Sequence, residues 1–334
     1  MRFSFAGALN LPRMAVLLAA HFAVLLVPLG AQAQGAYPAK PVRIIVPLPP
    51  GGSMDITFRI VSARFAQLAG QPFVIENRTG ASGLLAAEAV MRASADGYTL
   101  LGASVSLMSI NPHTFAKLPY DPQKDFVPIT NVYRTNYFWV SGSAAPAANM
   151  KEYVTWAKSS PGKASFGSAG VGSISHLASA MLVQAAGIEL LHVPYKGAIQ
   201  SINDLLAGRV SAVFAPVIAF GDHFKTGNLR LLAVATERRV AAFPDVPTFV
   251  ELGYDVVAPL WTGLVAPAGT PAAIVESLNR HLVQALASDE VKEALAKVDQ
   301  ETIGGTPAQF AQFMQSDRER WGKAVKASGF KAEN

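Results

Sequence analysis

The chain has no cysteine among its 334 residues. That excludes disulfides, thiolate metal ligands and a lipid-modified cysteine, so packing alone must hold the fold. Charge is scarce, with Asp, Glu, Lys and Arg making up 15% of the sequence. The basic residues are scattered and form no cluster interleaved with aromatics, which argues against a nucleic-acid partner. The six histidines fall in no H-x-x-x-H or similar pattern, and no metal or other cofactor is expected. Neither G-x-x-x-x-G-K-[ST] nor G-x-G-x-x-G occurs, so the nucleotide-binding loops are absent. The nucleophile elbow G-x-S-x-G is missing too. The nearest string, Gly170-Val171-Gly172-Ser173, lacks its spacing. Acidic residues are almost absent from the loops after the strands, Asp55 apart, which leaves little for paired-carboxylate chemistry. The sequence reads as a binding protein rather than an enzyme.

What is present begins at the N-terminus. Arg2 and Arg13 flank a run that is strongly apolar from Met14 to Leu29, and Ala31-Gln32-Ala33 fits a small-residue cleavage site. Residues 1–33 read as a signal peptide cut near Ala33, and the expected location is the periplasm. The alternative is a retained anchor, but His21 and Pro28 interrupt a run already short for a membrane span. About 300 residues follow, enough for two domains. Without Arg2 and Arg13 the formal net charge falls from +5 to +3.

The rest alternates strand-like and helix-like segments, and the expected architecture is α/β with parallel sheets covered by helices on both faces. Val42–Val46 is a short β-branched run that breaks on Pro47, Pro49, Pro50, Gly51 and Gly52. A helical pattern follows from Asp55 to Leu68. Strand, glycine turn and helix start together suit an anion, because glycines let the backbone come close and first-turn amides point outward. Val132–Val140 reads as one strand long enough to run between two domains. The tail, Ala272–Leu286, Asp289–Val298 and Pro307–Ser328, reads as helical.

In open α/β sheets a ligand sits beyond the carboxyl ends of the strands. The candidate loops are therefore Pro50, Gly51, Gly52 and Ser53; Ser104 and Ser106; Ser168, Gly170, Gly172, Ser173 and His176; and Lys196, Gly197 and Ala198. All are rich in Gly, Ser and Ala. Each has a plainer reading. Asp55 reads first as a first-turn acid, His176 as a cap or packing group in its helix, and Lys196 as a solvated rim cation. Trp261 and Phe214 read as core.

Taken in order, the strings YPAKPVRIIVPLPPGGSMD (37–55), GQPFVIENRTGASG (70–83), DGYTLL (96–101), LPYDPQKDFVPIT (118–130), SAGVGSISHLA (168–178), HVPYKGA (192–198), GLVAPAGTP (263–271) and WGKAVKASG (321–329) resemble those of the Bug-type extracytoplasmic solute receptors of the tripartite tricarboxylate transporter system. The resemblance runs from Tyr37 to Phe330. It implies a type II periplasmic binding protein, a Venus flytrap of two α/β lobes joined by hinge strands, with lobe I at 36–134 plus 258–334 and lobe II at 135–257. It also implies capture of a small mono-, di- or tricarboxylate or aromatic carboxylate, held by backbone amides, hydroxyls and water. The implied partners are the membrane permease subunits of a tripartite tricarboxylate transporter or, alternatively, a sensor kinase ectodomain, and the chain is expected to be a monomer. Many relatives carry Asp where this chain has Ala215, and its absence disfavours an amino-acid ligand. Tyr137, Phe138 and Trp139 favour an aromatic ligand if they face the cleft.

Overall fold

The computed structural model describes residues 1–3, 37–195, 198–217, 219–220, 223, 227 and 229–330. The signal-peptide reading and the candidates Lys196 and Gly197 lie outside these residues. The chain divides into a short stretch, Met1–Ala39, and a body, Lys40–Asn334, which carries both sheets.

The body begins with β1 (Val42–Val46), buried at every position but Arg43. It leads into α1 (Ser53–Ala69), where Met54, Thr57, Phe58, Val61 and Phe65 recur at helical spacing and form the buried stripe. Strands β2 (Phe73–Asn77) and β3 (Thr99–Ser104) lie parallel to β1 on either side, with α2 (Leu84–Met91) between them in sequence. A single π-type turn, Ser106–Ile110, follows β3 and runs into the one-turn α3 (Asn111–Thr114). Such turns depart from the regular helical ladder and often border functional sites.

The segment read as one strand over Val132–Val140 is two. β4 (Phe126–Thr135) belongs to the first sheet and β5 (Tyr137–Ser141) to the second, with the buried Asn136 between them. The second sheet continues with α4 (Met150–Ser159), β6 (Ser165–Ser168), α5 (Ile174–Ala186), β7 (Leu191–Pro194), α6 (Ala198–Leu206), β8 (Ala212–Pro216) and β9 (Arg230–Val234). The chain returns to the first sheet with β10 (Leu260–Pro267), α7 (Ala272–Ala287), α8 (Asp289–Ala296), β11 (Glu301–Gly304) and α9 (Pro307–Ala327).

Strand order is β11-β4-β10-β3-β1-β2 in the first sheet and β7-β6-β8-β5-β9 in the second. Neither is the parallel sheet expected from the alternation of elements. Each has a parallel half, β1, β2 and β3 or β6, β7 and β8. Beside it lies an antiparallel strand: β10 against β3 and β4, and β5 against β8 and β9. The antiparallel members include the strands by which the chain enters or returns to a sheet, and a strand entering from the other sheet need not match the direction set by βαβ crossovers.

α9 ties the first sheet together. It starts with a capping box between Thr306 and Gln309 and buries Phe310, Met314, Asp317, Trp321 and Val325. Gly263 in β10 lets the helix pack close, since a Cβ there would collide with the Phe310 ring. Trp139, Trp261 and Trp321 are all fully buried. Phe214 is core as well, and Phe138 and Trp139 pack within the second sheet's interior. Tyr137 stacks over Phe214, with ring centroids 6.1 Å apart. The aromatic triplet is therefore structural.

Candidate functional site

A cleft of about 690 Å³ lies where loops of both sheets meet. One wall is the turn Pro47–Pro49 with the start of α1. A second is the π-type turn with Asn111 and Thr114. A third is the loop Ala169–Ile174 at the start of α5, and Tyr133, Leu260 and Thr262 form the floor. None of the described residues lining it carries a charge.

The first wall is shaped by a carboxylate that does not face the cleft. Asp55 is 2% exposed. It accepts from Gly51 N–H at 2.9 Å, from Arg59 Nε and an Arg59 terminal nitrogen at 2.9 Å each, and from Asn77 Nδ2 at 3.0 Å. Asn77 Nδ2 also donates to Leu48 O at 2.9 Å, which fastens the turn to β2. The Arg59 hydrogen bonds, with help from Gly51 and Asn77, outweigh desolvation and bring the Asp55 pKa down to about 2. Gly51, at φ +78°, supplies the left-handed turn that points its amide back at Asp55. The first bond of the α1 ladder runs from Ile56 N–H to Gly52 O, and Gly52 has no side chain to cap the helix. The amides of Ser53 and Met54, both on the cleft, stand ahead of that ladder at the positive end of the helix dipole.

The second helix start is built without charge. Ser173 caps α5, accepting from His176 N–H at 3.3 Å. Inside the loop, Gly172 N–H donates to His176 Nδ1 at 3.1 Å, Ala169 N–H to Ser175 Oγ at 3.0 Å, and Ser173 Oγ–H to Gly170 O at 2.7 Å. Ser168 lies beneath, 2.7 Å from His192 Nε2. The His176 and His192 rings stack at 4.1 Å, and Phe166 stacks on His192 at 4.8 Å. Burial, with the neighbouring His192, lowers the His176 pKa to about 4, and burial lowers that of His192. Both rings are neutral at pH 7. Because the loop satisfies most of its own donors, the α5 amides ahead of the ladder are those of Ile174 and Ser175, and Ile174 borders the cleft.

Of the residues singled out from sequence, Ser53, Ser104, Ser106, Gly170, Gly172 and Ser173 line the cleft. Gly51, Asp55, Ser168 and His176 stand behind them and hold the loops in place. Pro50 and Gly52 belong to the first turn without lining the cleft, Ala198 is an exposed residue opening α6, and Ala215 is buried opposite Phe138 in β8. The sequence reading missed Asn111, Tyr133, Leu260, Thr262 and Phe330, which also line it. Phe330 reaches the site from beyond α9, its ring 3.2 Å from where a Gly172 Cβ would be. A second cavity, of about 610 Å³, opens between β4, β11, α9 and the segment around Val257–Pro259. Among the described residues no group of three His, Asp or Glu could hold a metal, and no helix is long and apolar enough to cross a membrane.

Comparison with known proteins gives this architecture a family. The sequence model described as "Tripartite tricarboxylate transporter family receptor" matches residues 57–330. Among solved structures, the chain is similar to R. palustris Rpa4515 with adipate (31% identity, TM-score 0.74) and to the periplasmic binding protein BugD (30%, 0.71). Each similarity covers 89% of this chain and 100% of the other. It is also similar to MatC (Rpa3494) from Rhodopseudomonas palustris with bound malate (29%, 0.70), over 86% of this chain and 100% of that one. The chain thus belongs to the tripartite tricarboxylate transporter family of receptors, the Bug-type periplasmic solute-binding proteins.

Proposed function

We propose that this chain is exported to the periplasm and captures a small organic carboxylate between two lobes, residues 36–134 with 258–334 and residues 135–257. The observation that carries this reading is the pairing of two helix starts, α1 and α5, on one cleft whose described lining has no charged side chain. Amides of Ser53 and Met54 receive the carboxylate from one sheet, and the Ile174 amide meets it, or a second polar group, from the other. A hydrogen bond to a charged group contributes about 1.5–3 kcal/mol. Micromolar binding needs about 8 kcal/mol, so a handful of such bonds suffices after the cost of ordering. A ligand that touches both lobes only when they close shifts the population toward the closed form. That form is what membrane permease subunits would engage, and the chain would release its ligand unaltered, as a carrier and not an enzyme.

Related proteins bearing adipate and malate support the carboxylate class. The test is a thermal-shift screen of the mature chain against mono-, di- and tricarboxylates, aromatic acids and amino acids. Ligand at 100 times its dissociation constant adds about 2.7 kcal/mol of stability. A carboxylate hit recovered chemically unchanged is the expected result. No hit among the carboxylates, or turnover of the ligand, would refute the reading.

A further inference from the structure

The floor of the cleft carries a feature that helix-start amides do not explain. Thr262 of β10 is register partner to Ser104 of β3 on one side and to Tyr133 of β4 on the other. Register partners on adjacent strands project to the same face, and all three line the cleft. Three hydroxyls thus stand in a row across neighbouring strands.

Their common direction depends on a bulge. Thr262 pairs with Tyr133 but Gly263 pairs with Asn131, so Val132 is an extra residue in β4. Bulges re-aim side chains in this way. Tyr133 consequently faces the cleft, while Asn131 and Arg134 border the second cavity. On β10 the alternation is regular: Leu260 and Thr262 face the cleft, and Trp261 turns away to donate to Asp317 at 2.7 Å.

The row has donors to spare. Thr262 is fully buried, and its Oγ1 makes no hydrogen bond of normal geometry among the described residues. Such an atom costs free energy unless a ligand or water completes it. Ser104 Oγ accepts from Leu107 N–H at 3.3 Å, which leaves its own proton to give. Tyr133 is 1% exposed, and burial raises its pKa despite the nearby hydroxyls of Thr262, Ser53 and Thr57, so its phenol keeps its proton. The contact to Ser53 places this row beside the α1 amides. Met54, Leu107 and Ile110 make the adjoining wall apolar.

Resting on the carboxylate reading above, we propose that Ser104, Thr262 and Tyr133 are the specificity-determining residues of the cleft. They select a singly charged carboxylate with a hydroxyl or keto oxygen on the carbon next to the carboxylate, and with an apolar body. The neighbouring oxygen reaches the hydroxyl row while the carboxylate rests on Ser53 and Met54. A second carboxylate placed at the hydroxyl row would meet hydroxyls and hydrocarbon, with neither helix-start amides nor a cation beside it among the described lining, and its charge would be poorly compensated there.

The experiment is calorimetric titration of the mature chain with matched acid pairs: 2-hydroxyisovalerate and isovalerate, mandelate and phenylacetate, malate and succinate. The expected result is about tenfold or greater preference for the hydroxylated monocarboxylate over its partner. Malate should bind more weakly than 2-hydroxyisovalerate. Tyr133→Phe and Thr262→Val should each bring the ratio toward one, with the hydroxy acid losing more affinity than its deoxy partner. Equal binding within every pair, preference for malate or succinate, or an unchanged ratio in both variants overturns the proposal and leaves the carboxylate reading standing. Absence of binding by all six acids overturns the proposal, and the thermal-shift screen then decides the carboxylate reading.

Discussion

The two helix starts that border the cleft solve the same problem with opposite chemistry. Before α1, an anion behind the backbone holds the turn: Asp55 gathers Gly51, Arg59 and Asn77 around one carboxylate. Before α5, neutral groups do the holding: His176 takes the Gly172 amide, Ser175 takes the Ala169 amide, and stacked imidazoles support them. The first device sits by half-exposed Arg59, where a charged pair costs little to keep. The second is buried against Phe166 and His192, where a charge would be costly. A helix start can therefore offer its amides from an ionic or a neutral support: Asp55, 2% exposed, keeps its charge because Arg59 pairs with it, whereas His176, 7% exposed, faces no counter-charge among the described residues.

Removing the ionic support should have the largest effect. Asp55→Ala strips a buried carboxylate from four hydrogen bonds, and about 3 kcal/mol of stability should go with it. A melting temperature that stays within a degree of wild type would show that the carboxylate does not hold the turn. Next come the two glycines. Gly51 and Gly172 have nearly equal φ, +78° and +76°, so alanine at either carries the left-handed strain of about 1–2 kcal/mol. Only Gly172 has a ring against it, so Gly172→Ala should cost about 1 kcal/mol more than Gly51→Ala and should displace Phe330. Equal chemical-denaturation midpoints for the two variants would erase this distinction.

The smallest effect is a separation in pH. The folded His176 ring resists protonation down to about 4, whereas an unfolded one accepts a proton near 6.5. The neutral support is thus fully effective above pH 6.5 and is lost as the pH falls through about 4. Asp55 stays ionised to about 2 against an ordinary 3.8, so its contribution is complete above pH 4 and is lost as the pH falls through about 2. Amide exchange, corrected for its intrinsic pH dependence, should show the Ala169–Gly172 loop loosening at pH 4.5 while the Gly51 amide stays protected. Simultaneous loosening would contradict the contrast.

Much of the fold was legible. Val42–Val46 matches its sequence reading residue for residue, because a short β-branched run closed by Pro and Gly has few alternatives. β11 was missed: Glu301–Gly304 is a half-exposed edge strand with one large apolar residue, too little for a periodic signal. Strand direction was misjudged because alternation of elements does not say from which sheet a strand enters. At the site, the Gly/Ser loops were legible because that composition is what exposed backbone requires. The hydroxyl row was not. Tyr133 and Thr262 are distant in sequence and meet only through a register that one extra residue, Val132, shifts.

Phe330 has a practical corollary. Its ring lies against Gly172 and borders the cleft, although it follows the last helix of the fold. A substitution at Phe330 is consequently no neutral change. The same adjacency turns the position to use, since an environment-sensitive fluorophore in place of the Phe330 ring would report ligand arrival as an optical signal.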